Sequence, residues 1–176
     1  KMPSFKPVYP PLPAADTLTL RVRLVRAAPV QLHAVDASAE RHFALPRSVV
    51  LGNWLSEDTK TGGELDFPVV AGVALARRMG VSIGDMLSLD IFDAHGIPRD
   101  LRCRIDGIVS AQDPAIDAAV LLAPLKPVII GLGYVSPAGN PLVSEFSILL
   151  PPGEDLRGAR SRLQAAVPPP VVVHTW

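Results

Sequence analysis

Strict alternation of apolar and polar positions marks Thr17–Val25. Leu18, Leu20, Val22 and Leu24 fall on one face, and Thr17, Thr19, Arg21 and Arg23 on the other. A period of two is that of a half-buried strand. The alternation resumes at Val30, Leu32 and Ala34 after the break "RAAP", which predicts an antiparallel hairpin with its loop near Arg26–Pro29. "HAVDASAERHF" then leaves the sheet, and "SVVLGNWLSED" fits either a strand end or a short helix. "TKTGGELDF", with its paired Gly62–Gly63, is a turn region.

The period changes in "VVAGVALARRMGVSIGDMLSLDIF". Val69–Ala71 is a short strand. Val73–Met79 is a helix of about two turns, with Leu75 and Met79 one above the other and Arg77–Arg78 outward. Gly80 supplies the left-handed residue that ends it. "SIGD" turns the chain through Gly84 into a strand over Met86–Phe92, with Leu87, Leu89 and Ile91 on one face. "DAHG" is a hairpin turn with Gly96 at its positive-φ position. Leu101–Val109 returns, with Leu101, Cys103 and Ile105 inward and Arg102, Arg104 and Asp106 outward. Gly107 marks a bulge or a close approach of another backbone. "AVLLAPL" is a further buried strand.

The last third predicts a strand at "SEFSILL", a helix in "PPGEDLRGARSRLQAAV" and a strand at "VVVHTW". Pro152 or Gly153 opens the helix, Glu154 and Asp155 sit near its positive end, and Leu156, Ala159, Leu163 and Ala166 run down one face. Strand, helix and strand in this order read as a βαβ unit. The predicted class is α+β: a β-rich lobe over 17–125 and a smaller βαβ-type α/β lobe over 126–176. Residues 1–16 form a proline-punctuated lead-in that joins the α/β lobe.

Composition narrows the function classes. With 17 Lys and Arg against 17 Asp and Glu, the 176-residue chain carries no formal net charge. A nucleic-acid partner, which would demand a basic excess or stripe, is therefore not expected. The single cysteine, Cys103, lies on the inward face of its strand and reads as a small buried hydrophobe. It excludes an intramolecular disulfide and a cysteine-based metal site. No apolar run reaches about 18 residues, so no span crosses a membrane within the sequence. The opening on "KMPSFKP" and the end inside a strand-like run at Trp176 read as a fragment excised from a longer chain.

Residues able to do chemistry are scattered. His33, His42, His95 and His174 lack metal-ligand spacing, and no metal is expected. There is no G-x-S-x-G elbow, no Ser-x-x-Lys, no P-loop and no dinucleotide fingerprint. "GLGYVSPAG" has the glycines of a phosphate cradle without the strand-to-helix setting. Carboxylates stand singly on turns or outward positions, so no catalytic residue and no cofactor are expected. Trp54 reads as packing at a lobe edge rather than as a ligand platform. The one turn able to project is "FDAHGIP", whose Phe92, Asp93, His95, Gly96, Ile97 and Pro98 form the candidate contact tip for a partner.

"PVVAGVALARRMGVSIGDMLSLDIFDAHG", then "RCRIDGIV", then "DAAVLLAPL" resemble, in order and spacing, the extracytoplasmic domain of the FtsX-like ABC-transporter permeases. The types in question are the macrolide exporter and the lipoprotein-releasing permease. Upstream, "VQLHAVDA" resembles that family's "v.v.GvDp", with Ala34 in place of the usual glycine; downstream, "VVVHTW" resembles its segment before the second membrane helix. The likeness covers roughly Thr17–Trp176.

The resemblance implies a noncatalytic periplasmic domain on the outer side of the bacterial inner membrane. It would lie between the first and second of four membrane helices in a dimeric permease. Through that membrane domain it would be coupled to a cytoplasmic ATPase, and it would act on a substrate or a periplasmic protein partner in export or lipoprotein release. Lys1–Ala15 is too short and proline-rich for the family's first strand and helix, and "FDAHGIPRD" is shorter than the loop that recruits a carrier in the lipoprotein-releasing type. "ARRMGVSIGDMLSLDIFDAHG" also resembles the double-psi barrel pattern, which implies instead a cofactor- or protein-binding domain of a soluble enzyme.

Overall fold

The structure, a computed structural model, describes residues 28–56 and 66–175. The predicted strand Thr17–Val25, the first half of the hairpin loop, the lead-in and the Gly62–Gly63 turn lie outside the described residues. Among the described residues, six strands and four α-helices follow one another: β1 (Gln31–Val35), β2 (Val49–Gly52), β3 (Asp66–Gly72), α1 (Val73–Met79), β4 (Met86–Phe92), β5 (Pro98–Val109), α2 (Pro114–Ala119), β6 (Val120–Pro124), α3 (Leu125–Gly131) and α4 (Leu156–Ala166). The α+β class predicted from the pattern is the class observed.

The six strands make one mixed sheet in the order β1-β6-β3-β5-β2, with β4 also paired to β5. Its centre is apolar on both faces. β3 and β6 carry continuous apolar runs, as strands covered on both sides do. Val69, Ala71, Leu121 and Ala123 face the larger core, where they meet Leu75 and Ala76 of α1 and Val128 of α3. The intervening Val70, Val120 and Leu122 face a smaller core with Ala37, Leu55 and Val109. Because Val128 and Leu132 belong to the larger core, that core extends past the predicted lobe boundary at Leu125.

β5 is the spine. On one side it runs parallel to β3 over Arg102–Val109. On the other it is tiled end to end by three segments. β4 pairs antiparallel over Pro98–Arg104. The "SIGD" turn then takes both main-chain groups of Ile105: the Gly84 amide donates to the Ile105 carbonyl at 2.7 Å, and the Ile105 amide donates to the Asp85 carbonyl at 2.9 Å. Beyond it, the Asn53 amide donates to the Asp106 carbonyl at 2.9 Å, and β2 pairs over Gly107–Val109. The stretch that opens with β3 thus wraps the spine, passing from one of its edges to the other through α1.

Local chemistry explains that wrap. α1 ends where expected, at Gly80 with φ 66°, and the Val81 amide reaches back to the Ala76 carbonyl at 3.0 Å while Val81 itself is buried. This is the six-to-one closure of a left-handed helix end with its apolar follow-on contact. The alternation expected on β5 is also observed: Leu101, Cys103 and Ile105 are fully buried between exposed Arg102 and Arg104. The Cys103 thiol packs 3.8 Å from the Leu87 carbonyl.

Where β2 pairs with β5, the backbones touch. A Cβ on Gly107 would stand 2.2 Å from the Asn53 carbonyl oxygen, and one on Gly52 would stand 2.2 Å from that of Asp106. The β3 register opposite shifts between Val69 and Val70, skipping Asp106. The bulge and the close approach anticipated at Gly107 are both present.

Other expectations are corrected. The ambiguous "SVVLGNWLSED" holds strand β2. β1 pairs in parallel with β6, a partner the pattern did not indicate; the other strand of the predicted hairpin lies outside the described residues. α2 and α3 were not anticipated, although Asp113 before Pro114 is a helix-start signal; its carboxylate accepts the Ala115 amide at 2.8 Å. α4 starts at Asp155, whose carboxylate accepts the amides of Arg157 and Gly158 at 3.0 Å each, rather than at Pro152 or Gly153.

Among the described residues, neither strand that would make α4 the centre of a βαβ unit forms. No strand forms at "SEFSILL", where Phe146 is 81% exposed, nor over Val171–Thr175. The second segment is held instead by side chains of α4. The Gln164 amide group donates to the Val171 carbonyl at 3.0 Å and accepts the Val173 amide at 2.8 Å, and Arg160 donates to the Val173 carbonyl at 3.0 Å. On the predicted apolar face of α4 only Ala159 is buried.

Two glycine substitutions separate close approach from backbone strain. Gly107→Ala is expected to lower unfolding free energy in urea by upwards of about 3 kcal/mol, because the methyl group meets main chain that cannot give way. Gly96→Ala, at φ 75° with no atom within 4 Å of the new Cβ, should lose only about 1–2 kcal/mol. Equal losses would refute the close contact.

Candidate functional site

The candidate tip sits between β4 and β5, at the far end of the spine from the Gly107 contact. The Asp93 amide donates to the Ile97 carbonyl at 2.9 Å, and the Gly96 amide donates to the Asp93 carbonyl at 3.0 Å, with Gly96 at φ 75°. The Asp93 side chain turns inward. One oxygen accepts the His95 and Ile97 amides, both at 2.9 Å, and the other accepts the Arg99 guanidinium at 3.0 Å through two of its nitrogens. Every polar direction of the carboxylate is used, which is what permits its burial at 6% exposure.

The six residues singled out in the sequence therefore separate into two roles. Phe92, His95, Gly96, Ile97 and Pro98 are exposed, Phe92 by 66% and Ile97 by 48%. Asp93 is buried, and its carboxylate is the clamp that shapes the turn around them. The tip is also docked: the Ala94 amide donates to the Leu132 carbonyl at 2.9 Å, beyond the end of α3. His95 lies beside Gly133, where a Cβ would come within 3.7 Å of Nε2. "GLGYVSPAG" forms no phosphate cradle of the strand-to-helix kind; it continues from α3 into a turn in which the Ser136 amide donates to the Asn140 carbonyl. The tip offers an apolar contact surface on a rigid mount, with one exposed imidazole.

Electrostatics agree with the clamp. The Asp93 carboxyl is held below the ordinary carboxylate range, chiefly by the Ile97 amide, then by the His95 amide and Arg99, against the opposing effect of burial. Glu40, half-buried beside Asp36, is shifted the other way by burial and then by its neighbour's charge.

Pattern reasoning passed over a second feature. A cleft of about 310 Å³ lies between β2 and α1. Val50, Leu51, Val73, Val81 and Ile108 line it, with Arg77 among them. The only trace of it in the sequence is the pair Val50–Leu51 in an otherwise undecided segment, because periodicity cannot reveal which strand ends a sheet. Trp54 packs against the smaller core, with its indole N–H buried and without a hydrogen-bond partner among the described residues. Among the described residues, no group of three His, Cys, Asp or Glu side chains is placed to hold a metal ion, and no helix is long and apolar enough to cross a membrane. No family model matches the sequence, and neither does any curated protein.

The clamp has a pH signature. A carboxyl with a depressed folded pKa stabilises the fold fully above its unfolded value, about 3.9, and that contribution disappears as pH falls through the lower folded value. Side-chain carbon NMR should show Asp93 titrating below the ordinary range, with its ion pair to Arg99 breaking at the same pH; titration at or above that range contradicts the clamp. Asp93→Ala should accelerate hydrogen exchange of the His95 and Ile97 amides at least tenfold while leaving β3 and β6 protected.

Proposed function

We propose that this chain is a noncatalytic periplasmic domain of an ABC-transporter permease of the FtsX-like kind, coupling ATP-driven movement of membrane helices to a substrate or a periplasmic protein partner. The observation that carries the reading is the ordered set of motifs from Pro68 to Leu125, whose residues build a single mechanical unit: β3, α1, the glycine turn and β4, all gripping β5. Coupling of this type needs bodies that move without deforming. A 12-residue spine with a hydrogen-bonded tip suits that task, since a displacement at one end is delivered at the other. Phe92, Ile97 and Pro98 are the proposed contact residues; Asp93 and Arg99 are their mount.

A second reading, the cofactor- or protein-binding domain of a soluble enzyme with a double-psi-like barrel, draws support from one observation. β3 lies parallel beside β5 while β4 occupies β5's opposite edge, so the connection crosses over the strand it later pairs with.

The full natural coding sequence separates the two. The permease reading expects apolar spans of about 20 residues directly before Lys1 and after Trp176, and an ATPase that copurifies with the full-length protein from detergent extracts. A natural chain that is soluble over its whole length overturns it, and a cofactor retained through purification would favour the second reading.

A further inference from the structure

Among the described residues β2 ends the sheet and no strand pairs with its outer edge; Val50 is 58% exposed, Leu51 54% and Gly52 is exposed too. Folded proteins ordinarily protect such an edge with charged side chains or proline, because its unpaired main-chain groups recruit other strands. β2 carries neither. The opposite end of the sheet differs, since β1 shows Gln31 and His33 to solvent.

The register of β2 against β5 shifts between Val49 and Leu51. In a regular strand Val50 and Leu51 would point to opposite faces. With the irregularity, both line the same cleft against α1, floored by Ile108 and Val81. Arg77 stands in the lining, exposed and without an ion pair among the described residues, and no carboxylate shares the lining with it. Arg99, Arg104 and Arg162 are by contrast each neutralised by an aspartate or glutamate.

From the open edge, the apolar floor and the unneutralised cation, we infer that the β2–α1 cleft docks an extended segment of a partner protein, added as a further strand beside Val49–Gly52. The segment buries apolar side chains against Val50, Leu51 and Ile108 and presents an acidic residue to Arg77. Main-chain pairing supplies affinity and the side-chain pockets supply selectivity, as in other strand additions. This goes beyond the permease reading: it names a surface away from the hairpin tip and holds whether the natural chain is membrane-bound or soluble.

Two eight-residue probes test it on the full 176-residue chain. Both alternate valine and threonine; one has a central glutamate and the other a lysine there. Fluorescence anisotropy should show the glutamate probe binding at least tenfold more tightly. Arg77→Glu, on the exposed face of α1, should invert that preference, and Val50→Lys should abolish binding of both probes with an unchanged circular dichroism spectrum. Equal binding of the two probes, or none, overturns the proposal. A concentration-dependent dimer that Val50→Lys abolishes would assign the edge to a second copy instead. A fall of several degrees in the melting temperature of Arg77→Glu alone would assign it to an acidic segment of the same chain. Either result overturns the partner assignment.

Discussion

The architecture depends on the close antiparallel approach of β2 to β5. Both main chains pass within a distance that leaves no room for a Cβ on Gly52 or Gly107. Because the approach is this close, the Asn53 amide reaches the Asp106 carbonyl, and the edge of the spine continues unbroken from β4 through the glycine turn into β2. A larger residue at either position would push β2 outward, take Val49 away from the smaller core and leave the Asp106 carbonyl without its partner. An unpaired buried main-chain group costs roughly as much as a broken hydrogen bond, so the fault would spread along the strand.

The spine also organises the surfaces available for contact. Its N-terminal end carries the Asp93-clamped tip, and its C-terminal end carries β2 and the cleft against α1. The two surfaces are built differently. At the tip, a buried carboxylate uses all its hydrogen bonds inward so that apolar residues can stand outward. At the cleft, a shift in register turns two neighbouring apolar side chains to one side.

The C-terminal third stands apart in its packing. α4 buries Ala159, while Leu156, Phe146, Leu149 and Val172 remain more than half exposed. Its contacts with the segment that follows are made by polar side chains, with Gln164 holding two main-chain groups of Val171 and Val173 as a strand edge would. Those side chains take the Val171 carbonyl and both main-chain groups of Val173 without a sheet.

How far the sequence reached follows from where hydrogen bonds close. α1, its glycine stop, the Gly84 turn, β4 and the inward face of β5 were all legible from Val73 to Val109. Each is set by local chemistry: a helix completes its bonds within four residues, a left-handed residue favours glycine, and a tight turn fixes its neighbours. Leu87, Leu89, Leu101 and Cys103 lie on the faces their period assigned. Strand pairing is nonlocal, and there the sequence was silent or misleading. It did not say that β1 joins β6, that β2 ends the sheet, or that "SEFSILL" and "VVVHTW" would find no partner strand among the described residues. At the candidate site it identified an exposed turn but did not distinguish Asp93 from its neighbours, although the groups that permit its burial, the His95 and Ile97 amides and Arg99, all lie within six residues of it. The amino-acid pattern determined which residues turn, which alternate and which stop a helix. Only the tertiary structure decided which edges meet, since that choice depends on groups distant along the chain.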